Sequence, residues 1–453
     1  MPIDRRTFLH GATAATLSAG LAACGPRGPV GTPGGAGGGV PLDLSIGPGG
    51  WCWFQSPRAA IDETGSLWLG SSRGTAAPEP GRVEVTQVDL ARRSVVGRWA
   101  LGRDRVDDHT SPSVLAIDGE VQVGWAPHRR EAWLEVGRLG GERPRIVRPD
   151  AVVEPGRGTA YVSAHVVAGV RWVLYRGEGF TWNLLTSPDG RRWSARGAVV
   201  RPDAPGQRPY VAAASDGERL HLVASDGNPT ERPGTGVGYG VIEPGGAILD
   251  GSGRALGRVG DPPTAASLTR LLEGRAGPAE DTDTDAWIAQ LAVIHRRPTA
   301  LLTLREPWPA GEIASGRWRH RLFWARQRHD GRWTVEPLAW AGRELYRNQP
   351  DYYCGLGCLD PLDPTRAVIA TDVDPVSGEP LHSPIDGRSH HELFEGHRRA
   401  EGSWRWTQLT RPGTRDNLRP VLVAGSGTSA LAWMRGTYRS WSDFDTEIVV
   451  RFA

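Results

Sequence analysis

Long helical periodicity is nearly absent from this 453-residue chain, and cysteine is held to four positions and methionine to two. The first absence points away from helical architectures. Four cysteines, one of them in the leader discussed below, exclude a disulfide framework and leave Cys52, Cys354 and Cys358 as three thiols for the body. Charge of one sign is also lacking: 53 basic residues face 51 acidic ones, for a net charge of +2, with no basic block and no aromatic-basic stripe. Nucleic acid is therefore not an expected partner. No early apolar run is long enough to cross a bilayer, since residues 11–21 are weakly apolar and too short. What the chain does have is 60 Gly, 36 Pro and 19 Trp, a turn-rich composition with large flat side chains that is common in proteins handling sugars.

The N-terminus reads as an address. Paired Arg5 and Arg6 followed by Phe8-Leu9 match the signal read by the twin-arginine translocase, and Leu21-Ala22-Ala23-Cys24 matches a lipobox. Residues 1–23 are thus expected to be a lipoprotein signal peptide, and Cys24 the lipidated residue. Residues 24–41, rich in Gly and Pro and without apolar periodicity, are expected to form a flexible tether. The protein is accordingly expected outside the cytoplasm, lipid-anchored to the bacterial cell membrane or outer membrane.

Residues 42–453 carry short bursts of apolar-polar alternation separated by Asp-Gly and Gly-rich turns, the pattern of strands joined by tight hairpins. Runs at 66–70, 120–125, 171–175, 219–224, 320–325, 367–371 and 430–434 mostly begin about 50 residues apart, with one wider gap, a spacing the size of a propeller blade. The expectation is an all-β, seven-bladed β-propeller. Ser187-Pro188-Asp189-Gly190-Arg191-Arg192-Trp193 fits an Asp-box, one residue short, whose Asp and Gly make a hairpin turn while Trp packs between blades. Residues 253–285 break the rhythm and read as an insertion whose acidic loop could bind calcium.

Trp51-Cys52-Trp53-Phe54-Gln55-Ser56-Pro57-Arg58-Ala59 resembles the opening motif of the BNR-4 repeat family. Asp107-Asp108-His109-Thr110-Ser111-Pro112, Leu174-Tyr175-Arg176-Gly177, Arg208-Pro209-Tyr210-Val211, Asn417-Leu418-Arg419-Pro420 and the closing Trp433–Tyr438 and Asp443–Thr446 segments follow in that family's order. The resemblance covers about residues 45–450. It implies a seven-bladed propeller and a polysaccharide lyase, notably of the ulvan-degrading kind, that cleaves beside uronic acids by β-elimination.

Such a reaction needs a base for the proton α to the carboxylate, a group to neutralise that carboxylate and an acid for the leaving oxygen. No metal or organic cofactor is formally required. The resemblance carries over His109 and His128 as candidates for the base, Tyr161 as acid or second base, and Arg176 as carboxylate binder. Arg suits its role because the planar fork pairs bidentately and keeps its charge. Tyr161 has Ala160 and Val162-Ser163 about it instead of the family's usual neighbours, and Tyr175 is its competitor. Arg208 and Tyr210 are expected to line the cleft, and Arg419 and Arg435 to add positive potential for an acidic polysaccharide or else to brace blades.

Cys354 and Cys358, with His390 and His391 among the histidines downstream, offer a set that could close a structural zinc site, although the spacing matches no compact zinc module. Two other functions fit the same scaffold: an Asp-box glycosidase of the sialidase type, which needs a carboxylate pair or a tyrosine-glutamate nucleophile, and a surface glycan-binding propeller without catalysis.

Overall fold

The computed structural model describes residues 43–128, 134–139, 145–147, 159–229, 231–277, 282–307, 318–346 and 353–452. Arg5, Arg6, Cys24 and the tether lie outside them. The strand bursts resolve into seven antiparallel sheets. In blade 1 the strands Ala59–Ile61, Ser66–Ser72, Arg82–Asp89 and Ser94–Arg103 hydrogen-bond in sequence order. The first strands of blades 2 to 7 are Ser113–Ile117, Ala160–Val167, Val211–Ser215, Asp285–Ile294, Gly357–Leu359 and Asp416–Gly425. Each first strand touches that of the next blade, and blade 7 touches blade 1, so the seven form a closed ring. Every alternating run read from the sequence falls in a different sheet. Six lie in the second strand of a blade, and the run at 320–325 lies in the third strand of blade 5, Trp318–Gln327.

Closure comes from the chain's two ends. Asp43–Pro48 pairs antiparallel with Asp443–Phe452 and supplies the outer strand of blade 7, in the register Asp43 to Arg451 and Leu44 to Val450. Apolar side chains fill the layers between blades rather than one central core. One cluster joins blades 1 and 2 through Trp68, Val85, Val114 and Val123, another joins blades 2 and 3 through Val136, Val162 and Leu185, and further ones continue round to blade 7 and back to blade 1. Trp193 of the Asp-box packs in the second of these layers, and the Asp189 carboxylate caps its own turn by accepting from the amides of Arg191 and Arg192.

Residues 253–285, read as an insertion, add two short strands to blade 4. Ala255–Arg258 extends the edge of blade 4, Thr269–Leu272 pairs with its third strand Val237–Ile242, and Asp285 already belongs to blade 5. The buried Leu268 and Leu271 hold the second of these strands against the blade. Asp285 is ion-paired with Arg305 and accepts from the amides of Gly234 and Thr235, so it serves the fold and not a loop. Residues 278–281, which carry part of the acidic sequence, lie outside the described residues.

Segment 51–58 plugs the ring. The Arg58 guanidinium donates to the carbonyls of Cys52, Gln55 and Pro112, while the Trp53 indole donates to the Ile288 carbonyl in blade 5. Ser56 accepts from the amide of Ala164 in blade 3 through its carbonyl. Because first strands start and second strands end at the same rim, residues flanking those ends collect on one face, above this plug. Among the described residues no helix is long and apolar enough to cross a membrane.

Candidate functional site

His109 sits in a short 3-10 turn that follows blade 1, and His128 lies just past the second strand of blade 2, Glu120–Trp125. Their rings stack at 4.3 Å between centroids. Both Nδ1 atoms address one carboxylate: His109 lies 2.7 Å from Asp107 Oδ1 and His128 2.8 Å from Asp107 Oδ2. Asp107 is fully buried and also caps the turn by accepting from the His109 amide. With Nδ1–H donated to Asp107, each imidazole presents Nε2 away from it, and among the described residues neither Nε2 has a hydrogen-bond partner.

Charge separates the two rings. Burial works against protonation of His109, but the carboxylates of Asp108 and Asp107 outweigh it and hold the imidazole well above its usual range. His128 is pushed down to about 3 by burial and by the charge on His109, against the pull of Asp107. Near neutral pH the pair is therefore one imidazolium and one neutral imidazole. Burial would raise Asp107 too, yet the charge on His109 and the hydrogen bonds from both rings hold it well below the usual carboxylate range.

Tyr161 and Arg176 stand on adjacent strands of blade 3. Ala160 pairs with Arg176, and the register slips between Ala160 and Ser163, so Tyr161 occupies a bulge with φ of +57°. A tyrosine in the left-handed region is uncommon, and bulges of this kind re-aim side chains beside active sites. Here the ring turns towards the histidines, 5.1 Å from His109 and 6.0 Å from His128. Tyr175 points the other way, into the packing layer between blades 2 and 3.

The Arg176 guanidinium lies 4.5 Å above the Tyr161 ring, 5.1 Å from that of Tyr210 and 5.4 Å from that of Phe180. Arg176 is 6% exposed, and its Nη1 is buried without a hydrogen-bond partner among the described residues. No carboxylate pairs with it there. Burial pushes the Tyr161 phenol well above its usual range, with Tyr210 adding to the effect and Arg176 opposing it. At Tyr210 burial is outweighed by Arg176, which draws that phenol down. Arg208 stands at the rim, 5.1 Å over Phe180 and ion-paired with Glu231.

Two arginines read from the sequence as charge for a polyanion are held in ion pairs, Arg419 deep inside the fold and Arg435 nearer the surface. Arg419 is 2% exposed, bonds Asp108 at 2.5 Å and the Tyr438 hydroxyl at 2.8 Å, and reaches the Trp51 carbonyl. It ties blade 7 to the plug and to the turn that carries His109. Arg435 is paired with Glu447 within blade 7. Both brace, the alternative their sequence context also allowed.

The proposed zinc set does not assemble among the described residues. Cys354 and Cys358 are buried in different packing layers and form no disulfide, burial pushes Cys358 up to about 12, and His390 and His391 face Asp386 and Asp416 instead. The only groups there with metal-ligating potential centre on His109, as Asp107-His109-His128 and Cys52-Asp108-His109. Their Nδ1 and carboxylate atoms are already joined by the hydrogen bonds above. Sequence reasoning missed Trp441, whose ring lies 5.6 Å from both histidines, and the floor made by Phe54, 5.6 Å from Tyr161 and 4.9 Å from Tyr210. Phe54 was visible as part of the opening motif, but its place depends on the ring closing round it.

No protein-family model matches the chain, and no curated protein does either. Among solved structures it is similar to the polysaccharide lyase Uly1, with a TM-score of 0.50 and 10% identity over 85% of this chain and 88% of that one. A Penicillium chrysogenum alpha-L-arabinanase matches with a TM-score of 0.39 and 10% identity, over 90% of this chain and 98% of that one. At such identity the likeness to Uly1 is one of fold, and that fold is a seven-bladed β-propeller.

Proposed function

We propose that the protein is a polysaccharide lyase that cleaves beside a uronic acid by β-elimination, as its motif resemblance to BNR-4 lyases implies. The observation that carries this reading is Arg176, a buried guanidinium without a carboxylate partner among the described residues, set beside Tyr161 and a polarised histidine pair. A uronate carboxylate would complete it with bidentate hydrogen bonds and so stabilise the carbanion. Neutral His128 is the imidazole of the pair whose Nε2 can accept the α proton near neutral pH. Tyr161, kept protonated, suits donation to the leaving oxygen, and the His109 cation adds positive potential at the developing charge.

Hydrolysis by a carboxylate pair flanking the bond fits less well. Asp107 and Asp108 are 0% and 1% exposed, and their oxygens serve the histidines, Arg419 and Tyr438. The signal and the Cys24 tether expected from the sequence would place the activity outside the cytoplasm.

The test is ultraviolet absorbance from the unsaturated product when purified protein meets a panel of uronate polysaccharides, ulvan among them. Absorbance should grow with wild type and fall about 10²–10³-fold with Arg176→Ala, the loss expected when a transition-state charge stabiliser is removed. Reducing sugar released without that absorbance would select hydrolysis, and binding without turnover would select a glycan-binding propeller.

A further inference from the structure

The face that carries the histidines holds a second concavity, a cleft of about 560 Å³ where blades 5, 6 and 7 meet. This is within the size range of small-ligand pockets, roughly 300–1,000 Å³. Its cations are Arg343, Arg388, Arg415 and Arg439, joined by His390 and His391. Two acids line it as well, and both are engaged: Asp443 holds Arg439 through two bonds of 2.8 Å, and Asp416 accepts from the His391 amide at 2.9 Å. Arg343 is paired with Asp372 and Arg415 with Glu447. Arg388 is exposed and its guanidinium has no ion-pair partner among the described residues, so it is the one arginine of the cleft left open to a ligand.

The cleft is continuous with the histidine site. Tyr438 lines it, donates to Asp108 at 2.5 Å and stacks on Tyr346, which also lines it. Three residues further on, Trp441 packs on both histidines, and its carbonyl accepts from the Asp108 amide. One short stretch, residues 438–441, therefore forms a wall of the cleft on one side and of the catalytic candidates on the other.

We propose that this cleft is a second anion subsite, one that takes an acidic substituent, carboxylate or sulfate, on a sugar of the same polymer several units from the bond at Arg176. The proposal rests on the lyase reading for the identity of the polymer, but its binding can be measured apart from turnover. Arg388 is the residue to change, because it is exposed and unpaired, and its replacement leaves the fold's ion pairs intact.

Calorimetric titration of the full chain would use three hexasaccharides, namely hexagalacturonate, a sulfated neutral hexamer and an uncharged cellohexaose, with digalacturonate as the short control. Arg388→Glu should weaken at least one acidic hexamer by 10-fold or more and leave digalacturonate within twofold. Cellohexaose should not respond to the change. The acidic hexamer that responds identifies the anion. In an Arg176→Ala background, where turnover is suppressed, the same dependence on Arg388 should persist. Acidic hexamers that bind Arg388→Glu as tightly as wild type, or that do not bind wild type at all, would overturn the proposal. Arg388-dependent binding without any ultraviolet product would sink the lyase reading and leave the subsite standing. Product formation with KM and kcat unchanged in Arg388→Glu would do the reverse.

Discussion

A carboxylate that accepts from two imidazoles fixes both tautomers at once, and Asp107 does this for His109 and His128. Asparagine at 107 keeps the shape but offers one acceptor and a competing donor, so one ring must turn or change tautomer. The lyase rate should then fall by about 10²–10⁴-fold, the span of general acid–base catalysis. The pH profile carries the sharper test. In wild type the His109 cation helps to push His128 down to about 3, so the neutral base survives into acid and the acid limb lies low. In Asp107→Asn, His128 loses the carboxylate that pulls it up, while burial, the largest cause of its depression, is unchanged and His109 keeps Asp108, the stronger of the two carboxylates that hold its proton. The acid limb of kcat/KM should therefore not move to higher pH while the rate falls, and a limb that rose towards the ordinary histidine range would mean that Asp107, and not burial, holds His128 down. The sequence already set His109 directly after two aspartates. That His128 shares the same carboxylate from 21 positions away, while Asp108 turns to Arg419 and Tyr438, depends on tertiary contacts that no local pattern encodes.

At the scale of elements, strands were legible because alternation and Asp-Gly turns are local signals, and the run at 120–125 coincides with its strand. The two added strands in residues 253–285 were not, because they are short and pair with a blade already complete in sequence order. The plug at 51–58 was visible only as a motif, since what fills a tunnel is decided by the ring around it. Arg58 is its keystone: the cation is drawn down to about 9 by burial, still charged at neutral pH, and satisfies three carbonyls in a segment that has little regular structure of its own. Arg58→Met keeps most of the volume and strands those acceptors, each charge-assisted bond being worth about 1.5–3 kcal/mol. Chemical denaturation should show a loss of about 3 kcal/mol or more, accompanied by lost activity because Phe54 floors the site. A loss below about 1 kcal/mol would mean that water or a neighbour replaces the guanidinium and that the plug is held by its aromatics instead.

The whole molecule is a ring whose site draws on blades 2, 3, 4 and 7, so activity requires closure and not merely folded blades. Closure rests on the strand Asp43–Pro48, where two forces can be separated. Its ion pair, Asp43 with Arg451, has two short hydrogen bonds of 2.6 and 2.8 Å, but the side chains are 32% and 23% exposed. Such pairs contribute about 0–1 kcal/mol once solvent screening is counted. Ile46 is 2% exposed and packs in the layer that joins blade 7 to blade 1 with Leu67, Met434 and Val450. Truncating a buried isoleucine to alanine costs about 2–5 kcal/mol, the larger values arising where the cavity cannot collapse. Ile46→Ala should therefore lower the denaturant midpoint well below wild type, while Asp43→Asn should stay within about 1 kcal/mol. Removing residues 43–48 altogether would bare the edge of Asp443–Phe452 as well, and an unpaired edge of that length invites association between molecules. Light scattering that rises with the truncation and not with Asp43→Asn would place closure in strand pairing and apolar burial. Equal losses from Asp43→Asn and Ile46→Ala would place it in the ion pair and overturn that account of how the ring is shut.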